Sequence, residues 1–231
     1  MSVLGRPRSE NAPPQATRIG PMTLEEYLRR ESESERMHEF LNGYVTEYSQ
    51  LIYAAPDLIC HGKVKGNLCR LLRSGLKDKP VWFPGSGQRI AMPWANSVVY
   101  PDASVFAGET KCWDSHTELL MNPLAIFEVV SCATEAFDRG LKFHAYRKIS
   151  SLQTYVLISN NRASVDVYER RSSDGNQWLL TPHLTMDAIA EIPALKMDIA
   201  LSDLYENVKF PQEDPLYAAM LKEQEAAYAA N

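Results

Sequence analysis

The run "PLAIFEVVSCATEAFDRGLKFHAYRK", residues 123–148, decides the fold. Its first half is apolar apart from one carboxylate, Glu128, set in the middle of Ala125-Ile126-Phe127-Glu128-Val129-Val130. A short, continuous apolar run over 124–131 predicts a strand buried on both faces, at the centre of a sheet with helices on either side. An ionised carboxylate in such a place must be paired, protonated or bound to a metal. The second half predicts a helix from about Glu135 to Ile149. On it Asp138, Lys142 and Tyr146 recur every four residues and share one face.

A second acid stands in a similar context. In "VVYPDASVFAG", residues 98–108, Asp102 follows Pro101 within an apolar run. Proline cannot donate to a sheet ladder, so it marks a strand start, an edge or a break. If the Asp102 and Glu128 strands pair, the two carboxylates converge. They then repel unless a proton or a cation lies between them. A hard divalent ion such as Mg²⁺ suits these oxygens, with the backbone carbonyl of Val129 as a further donor. The alternative is an ion pair from each acid to a buried Arg or Lys. Beside a metal-bound phosphate, Lys142 would orient an attacking water or offset charge developing in the transition state.

The remaining chain supplies the scaffold. In "MTLEEYLRRESESE" Thr23 and Glu26 have capping-box spacing ahead of Leu24, Tyr27 and Leu28. In "MHEFLNGYVTEYSQ" Asn42-Gly43 lies between two strand-forming runs and predicts a hairpin. Glu39, on that hairpin, either pairs with a basic neighbour or adds an acid to the site. "APDLICHGKVKGNLCRLLRSGLKDK", residues 55–79, predicts a helix with Val64, Leu68, Leu71, Leu72 and Leu76 on one stripe. The same helix carries Lys63, Lys65, Arg70, Arg73, Lys77 and Lys79, either a solvated face or a track for phosphates. Further strands are expected in "VWFPGSGQRIAM", "SVVYPDASVF", "TYVLISNN", "SVDVYERR" and "NQWLLTPHLT", with a short helix near Ser202.

The class that follows is α/β (α+β): a mixed central β-sheet flanked by helices. The organisation expected is a disordered tail over 1–21, one domain over 22–208, and a C-terminal helix or tail over 209–231. Apolar content of 45% and charged content of 23% suit a soluble globular domain, and no apolar run spans a bilayer. Four cysteines without a CxxC pair read as reduced thiols of a cytoplasmic protein. A net charge of -5 argues against a protein that coats nucleic acid nonspecifically, although it permits a local basic groove.

"YPDASVF", "FEVVS" and then Thr134, Asp138, Lys142 and Tyr146 resemble the Uma-two family of restriction endonucleases, within the PD-(D/E)xK nuclease superfamily. "MTLEEYL", "HEFLNGYV" and the set His61, Gly66, Asn67 and Leu68 are similar to the same family, so the resemblance covers about residues 22 to 208. It implies a restriction-endonuclease-like fold and hydrolysis of phosphodiester bonds, in DNA, with Mg²⁺ or Mn²⁺. It implies Asp102 and Glu128 as metal ligands, Lys142 as the catalytic lysine carried on the helix, and Glu39 as an additional acid. His61, Lys65, Arg73 and Tyr146 become candidates for contact with nucleic acid. The chain departs from the family pattern at Val130, where the signature has its lysine, and at Asn42, Tyr44 and Cys132.

Two classes of function follow. One is a metal-dependent endonuclease, expected as a homodimer because cutting two strands benefits from two related sites. The other is a nuclease-fold protein without catalysis that binds nucleic acid or protein. A hydrolase of smaller phosphate esters is a third. Dependence on Asp102 and Glu128 separates the first from the second.

Overall fold

The computed structural model describes residues 17–35, 37–47, 55–114, 116–132, 134–172 and 177–210. Strand β1 (Thr17–Ile19) opens it, and helix α1 (Leu24–Ser32) follows. Thr23 caps α1 with a full capping box: its hydroxyl accepts from the Glu26 N–H, and the Glu26 carboxylate accepts from the Thr23 N–H. Strands β2 (Glu39–Leu41) and β3 (Tyr44–Glu47) form the expected hairpin. Asn42 and Gly43 turn it at φ of 52° and 81°, the left-handed pair that a type I′ turn requires. β1 pairs with β3, so Thr17–Ile19, inside the stretch expected as a tail, belong to a sheet. Residues 1–16 and the C-terminal helix expected from Asp214 lie outside the described residues.

Helix α2 (Ala55–Gly75) comes next, then β4 (Val81–Trp82), β5 (Arg89–Met92), β6 (Ser97–Val99) and β7 (Ala103–Ala107). Strands β8 (Cys112–Trp113) and β9 (His116–Leu120) lead into the long strand β10 (Pro123–Val130). A helical crossover follows: α3 (Glu135–Phe137), a π-helical turn (Asp138–Lys142) and α4 (Phe143–Tyr146). Then come β11 (Thr154–Ser159), β12 (Val165–Arg170) and β13 (Trp178–His183). The hairpin of β14 (Ile189–Ile192) and β15 (Met197–Ala200) leads into α5 (Leu201–Leu204).

The strands make two main sheets rather than one. A six-stranded sheet has the order β13-β12-β11-β10-β7-β4, and a seven-stranded sheet the order β1-β3-β2-β6-β5-β9-β8. The first is mixed: β10 runs parallel to β11 and antiparallel to β7. β10 therefore lies inside its sheet, as its two-sided apolar pattern requires.

Its side chains alternate between two cores. Ala125, Phe127 and Val129 pack with Val64, Leu68 and Leu72 of α2, with Leu76 just past its end, and with the β14–β15 hairpin. Ile126 and Val130 pack on the other face with Tyr146 and Ile149 and with Leu41, Ile90, Val99 and Leu120 from the seven-stranded sheet. A third core joins Leu24 and Tyr27 of α1 to the outer face of that sheet. Among the described residues no helix is long and apolar enough to cross a membrane.

Candidate active site at the junction of the two sheets

Glu128 shares its parity with Ile126 and Val130, so it faces the core between the sheets. It is 4% exposed. Its Oε1 accepts from the Lys142 ammonium at 2.9 Å and from the Tyr146 hydroxyl at 2.9 Å. Lys142, on the π-helical turn, also reaches Glu39 Oε1 at 2.5 Å and Asp138 Oδ1 at 3.3 Å. An ammonium has three N–H donors. Here each faces a carboxylate from a different element: β2, β10 and the helical crossover.

Asp102 stands just before β7. Ala103 pairs with Phe127, so one further antiparallel step sets Asp102 beside Glu128. The pairing expected of these two strands is present. Asp102 Oδ2 accepts from the Val129 N–H at 2.8 Å. Its Oδ1 meets Lys65 Nζ at 2.8 Å and His61 Nε2 at 3.1 Å. His61 and Lys65 are one turn apart on α2 and approach from the opposite side to Lys142. The N–H and C=O of one strand residue point to the same edge, so the Val129 carbonyl also faces the Asp102 side.

These surroundings divide the acids electrostatically. Burial works against ionisation of Asp102, yet His61 and Lys65 hold its carboxyl well below the usual range. Burial raises Glu128 to about 7, with Lys142 opposing it and Asp138 and Asp102 reinforcing it. Burial likewise raises Asp138 to about 6, against the pull of Lys142. Burial would discharge Lys142, but Glu128, Glu39 and Asp138 outweigh it and keep its ammonium charged. His61 shows the same contest: burial lowers it, and the Asp102 hydrogen bond and charge leave it above its ordinary value.

Four buried carboxylates thus face two lysines and one histidine, and two of the four are driven toward protonation. That surplus of oxygen donors and negative charge fits a hard divalent cation, with Asp102, Glu128 and the Val129 carbonyl on adjoining strands. Among the described residues, no group of three or more His, Cys, Asp or Glu is arranged to hold a metal by itself. Mg²⁺ does not require one, because it keeps several waters and uses one or two carboxylates with substrate phosphate.

The other candidates are distributed unevenly. Tyr146, His61 and Lys65 join the site as partners of Glu128 and Asp102. Arg73 does not; it is exposed and lies 5.9 Å from the Phe83 ring. The helix expected over 55–79 ends at Gly75, and much of the basic surface of α2 and of the turn after it is occupied by backbone and acids from later in the chain. Lys63 donates to the Asn207 carbonyl, Arg70 pairs with Glu206, and Lys79 donates to the Leu195 and Lys196 carbonyls. Sequence reasoning placed Asp138 on the Lys142 face without giving it a role in the site. The i,i+4 spacing was the signal for their ion pair.

A mixed sheet with paired acids on neighbouring strands and a buried lysine from the following helix defines a restriction-endonuclease-like α+β protein. The chain belongs to the Uma2 family, described as "Putative restriction endonuclease", which it matches over residues 24–202. It is 32% identical over 176 residues to the uncharacterized protein sll1609 of Synechocystis sp., covering 76% of this chain and 95% of that one. It is 26% identical over 196 residues to slr1290 of the same organism, also uncharacterized, covering 82% and 94%. Its fold matches the crystal structure of "a putative nuclease belonging to DUF820" from Anabaena variabilis, with a TM-score of 0.60 at 18% identity, over 80% of this chain and 98% of that one.

Proposed function

We propose that the chain is a divalent-metal-dependent endonuclease that hydrolyses phosphodiester bonds in DNA. One observation carries this reading: the register of β7 against β10 brings Asp102 and Glu128 together, beside a lysine that is buried and charged. Perturbed carboxylates concentrate at functional sites.

Asp102, Glu128 and the Val129 carbonyl would hold the ion. When bound, Mg²⁺ or Mn²⁺ polarises a phosphoryl oxygen and lowers the pKa of water, easing attack and departure of the leaving oxygen. Lys142 positions the attacking water and donates toward charge developing on the phosphate. To do so it exchanges one of its three carboxylate partners for substrate. Tyr146 keeps Glu128 oriented by donating to Oε1. Glu39 is an additional acid on the Lys142 side. His61 and Lys65 hold Asp102 and present positive charge toward an approaching phosphate backbone, and Arg73 extends that charge along α2. Water gives a proton to solvent as it adds to phosphorus, the bond to the leaving oxygen breaks, and that oxygen takes a proton from solvent.

A homodimer, bringing two such sites to two strands, is part of this proposal. So is a cytoplasmic location, supported by four cysteines of which none is in a disulfide.

The test is cleavage of supercoiled plasmid with Mg²⁺, Mn²⁺ or EDTA. The wild type is expected to cut only with metal. Asp102→Ala and Glu128→Ala are expected to lose at least a hundredfold in rate while remaining folded by circular dichroism. A second reading, a nuclease-fold binding module without catalysis, is favoured by the three carboxylates that already satisfy every N–H of Lys142. Metal-independent DNA binding that survives both substitutions, with no cleavage by the wild type, would establish that reading instead.

A further inference from the structure

Glu31 lies at the end of α1, far along the chain from the paired acids, with a side chain only 3% exposed. Its Oε1 accepts from the His38 backbone N–H at 2.9 Å and from the Tyr100 hydroxyl at 2.9 Å. Its Oε2 lies 2.9 Å from His38 Nδ1. The His38 carbonyl accepts from the Tyr27 hydroxyl at 2.9 Å. The Tyr100 oxygen accepts from Arg89 Nε at 2.7 Å, and the Arg89 guanidinium lies 5.5 Å from the Tyr100 ring centre.

The place of this network matters more than its size. β2 and β6 pair at Phe40 and Val98, so two antiparallel steps further on His38 faces Tyr100. Neither residue is in a strand; β2 starts at Glu39 and β6 ends at Val99. Pro101 then follows without an N–H, and the chain crosses from the seven-stranded sheet into β7 of the six-stranded one. The ladder therefore stops where the site begins. Glu39 follows His38 by one residue, and Asp102 follows Tyr100 by two.

We propose that Glu31 is a positioning residue: its carboxylate ties together the two segments that carry Glu39 and Asp102, and so sets where both acids stand. It takes over where the backbone ladder ends, holding His38 by N–H and ring and Tyr100 by its hydroxyl. The inference rests on the proposed function only for the membership of Glu39 and Asp102 in the site. A carboxylate that merely satisfied the core of α1 would stabilise the whole domain evenly. A positioning carboxylate controls Asp102 locally.

The Val129 amide reports on this directly, because its N–H is held by Asp102 Oδ2. Hydrogen exchange is compared in wild type, Glu31→Ala, Glu31→Gln and Tyr100→Phe. Glu31→Ala is expected to speed exchange at Val129 at least tenfold while the amides of Val156 and Leu157 on β11 change less than twofold. Glu31→Gln, which keeps an acceptor oxygen, restores most of the protection. Tyr100→Phe removes one donor, keeps the packing, and shows a change of about threefold in the same direction; it decides the matter if Glu31→Ala does not fold. Even acceleration at all of these amides, or no change at Val129 in Tyr100→Phe, would overturn the proposal. Calorimetric titration of wild type with MnCl₂ tests the metal site separately. Binding by wild type that weakens about tenfold in Glu31→Ala, with rescue by Glu31→Gln, supports the proposal. An unchanged affinity overturns it. No binding by wild type sinks the metal reading and leaves the exchange data to judge Glu31.

Discussion

Lys142 meets three carboxylates with three N–H donors, and the cluster depends on that match. Removing one partner of a buried ion pair leaves the others uncompensated, at about 3–5 kcal/mol. Lys142→Met is therefore expected to lower stability by several kcal/mol in urea melts and to abolish cleavage. A loss below about 1 kcal/mol would mean that solvent already compensates these acids. The pH dependence of stability has a definite sign. Glu128 and Asp138 bind protons more tightly in the folded chain, with pKa raised from 4.5 to about 7 and from 3.8 to about 6. Their contribution is complete below about pH 4 and is lost as pH rises through 6 to 7. His61, also raised, acts in the same direction. Melting temperature should decline from pH 5 to pH 7. Asp138→Asn should flatten part of that decline, so that its stability relative to wild type improves as pH rises. A difference that stays constant across that range would rule out Asp138 as a source.

At the scale of elements, α2 does two jobs on two faces. Its apolar stripe seals one side of β10, and Leu68 sits fully buried in it. Leu68→Ala should cost about 3 kcal/mol by denaturant unfolding, in the range for a large buried side chain reduced to alanine. On another face His61 and Lys65 reach Asp102, so a helix packed out of register would disturb the site as well as the core. The π-helical turn has a comparable role in the crossover. The sequence predicts one continuous helix over 135–149, but the structure interrupts it at Asp138–Lys142 and ends the last helical segment at Tyr146. The irregular turn carries both Asp138 and Lys142 into the core, the kind of place where π-bulges collect.

For the molecule as a whole the net charge is mildly negative, and Lys63, Arg70 and Lys79 are engaged within the fold. Binding to DNA should therefore be modest and should weaken as salt rises. Affinity for a short duplex is expected to fall at least tenfold between 50 and 200 mM salt, roughly as counterion release by several phosphate contacts requires. Arg73→Glu should weaken binding evenly across sequences without changing the cleavage rate at saturating DNA. Filter binding over a salt series would check both. A flat salt dependence would move recognition away from the phosphate backbone.

Much of this was legible in the sequence, because local physics writes it there. The capping box at Thr23, the Asn42-Gly43 turn, the stripe of α2 and the buried strand around Glu128 each follow from spacing within a dozen residues. The motif order carried the family. Tertiary structure alone decided what each acid meets. Nothing near Glu128 in the chain tells that β7 lies antiparallel beside it with Asp102 one step past Ala103, or that the β2 hairpin belongs to a second sheet whose Glu39 reaches Lys142. Nor does helical spacing reveal that Lys65 turns inward to Asp102 while Arg73 stays outside, or that Glu31 reaches Tyr100, 69 residues further on, and joins it to His38. Periodicity encodes which face of an element is buried. Strand order and register, which are set by packing among segments remote in sequence, determine which charges are buried together.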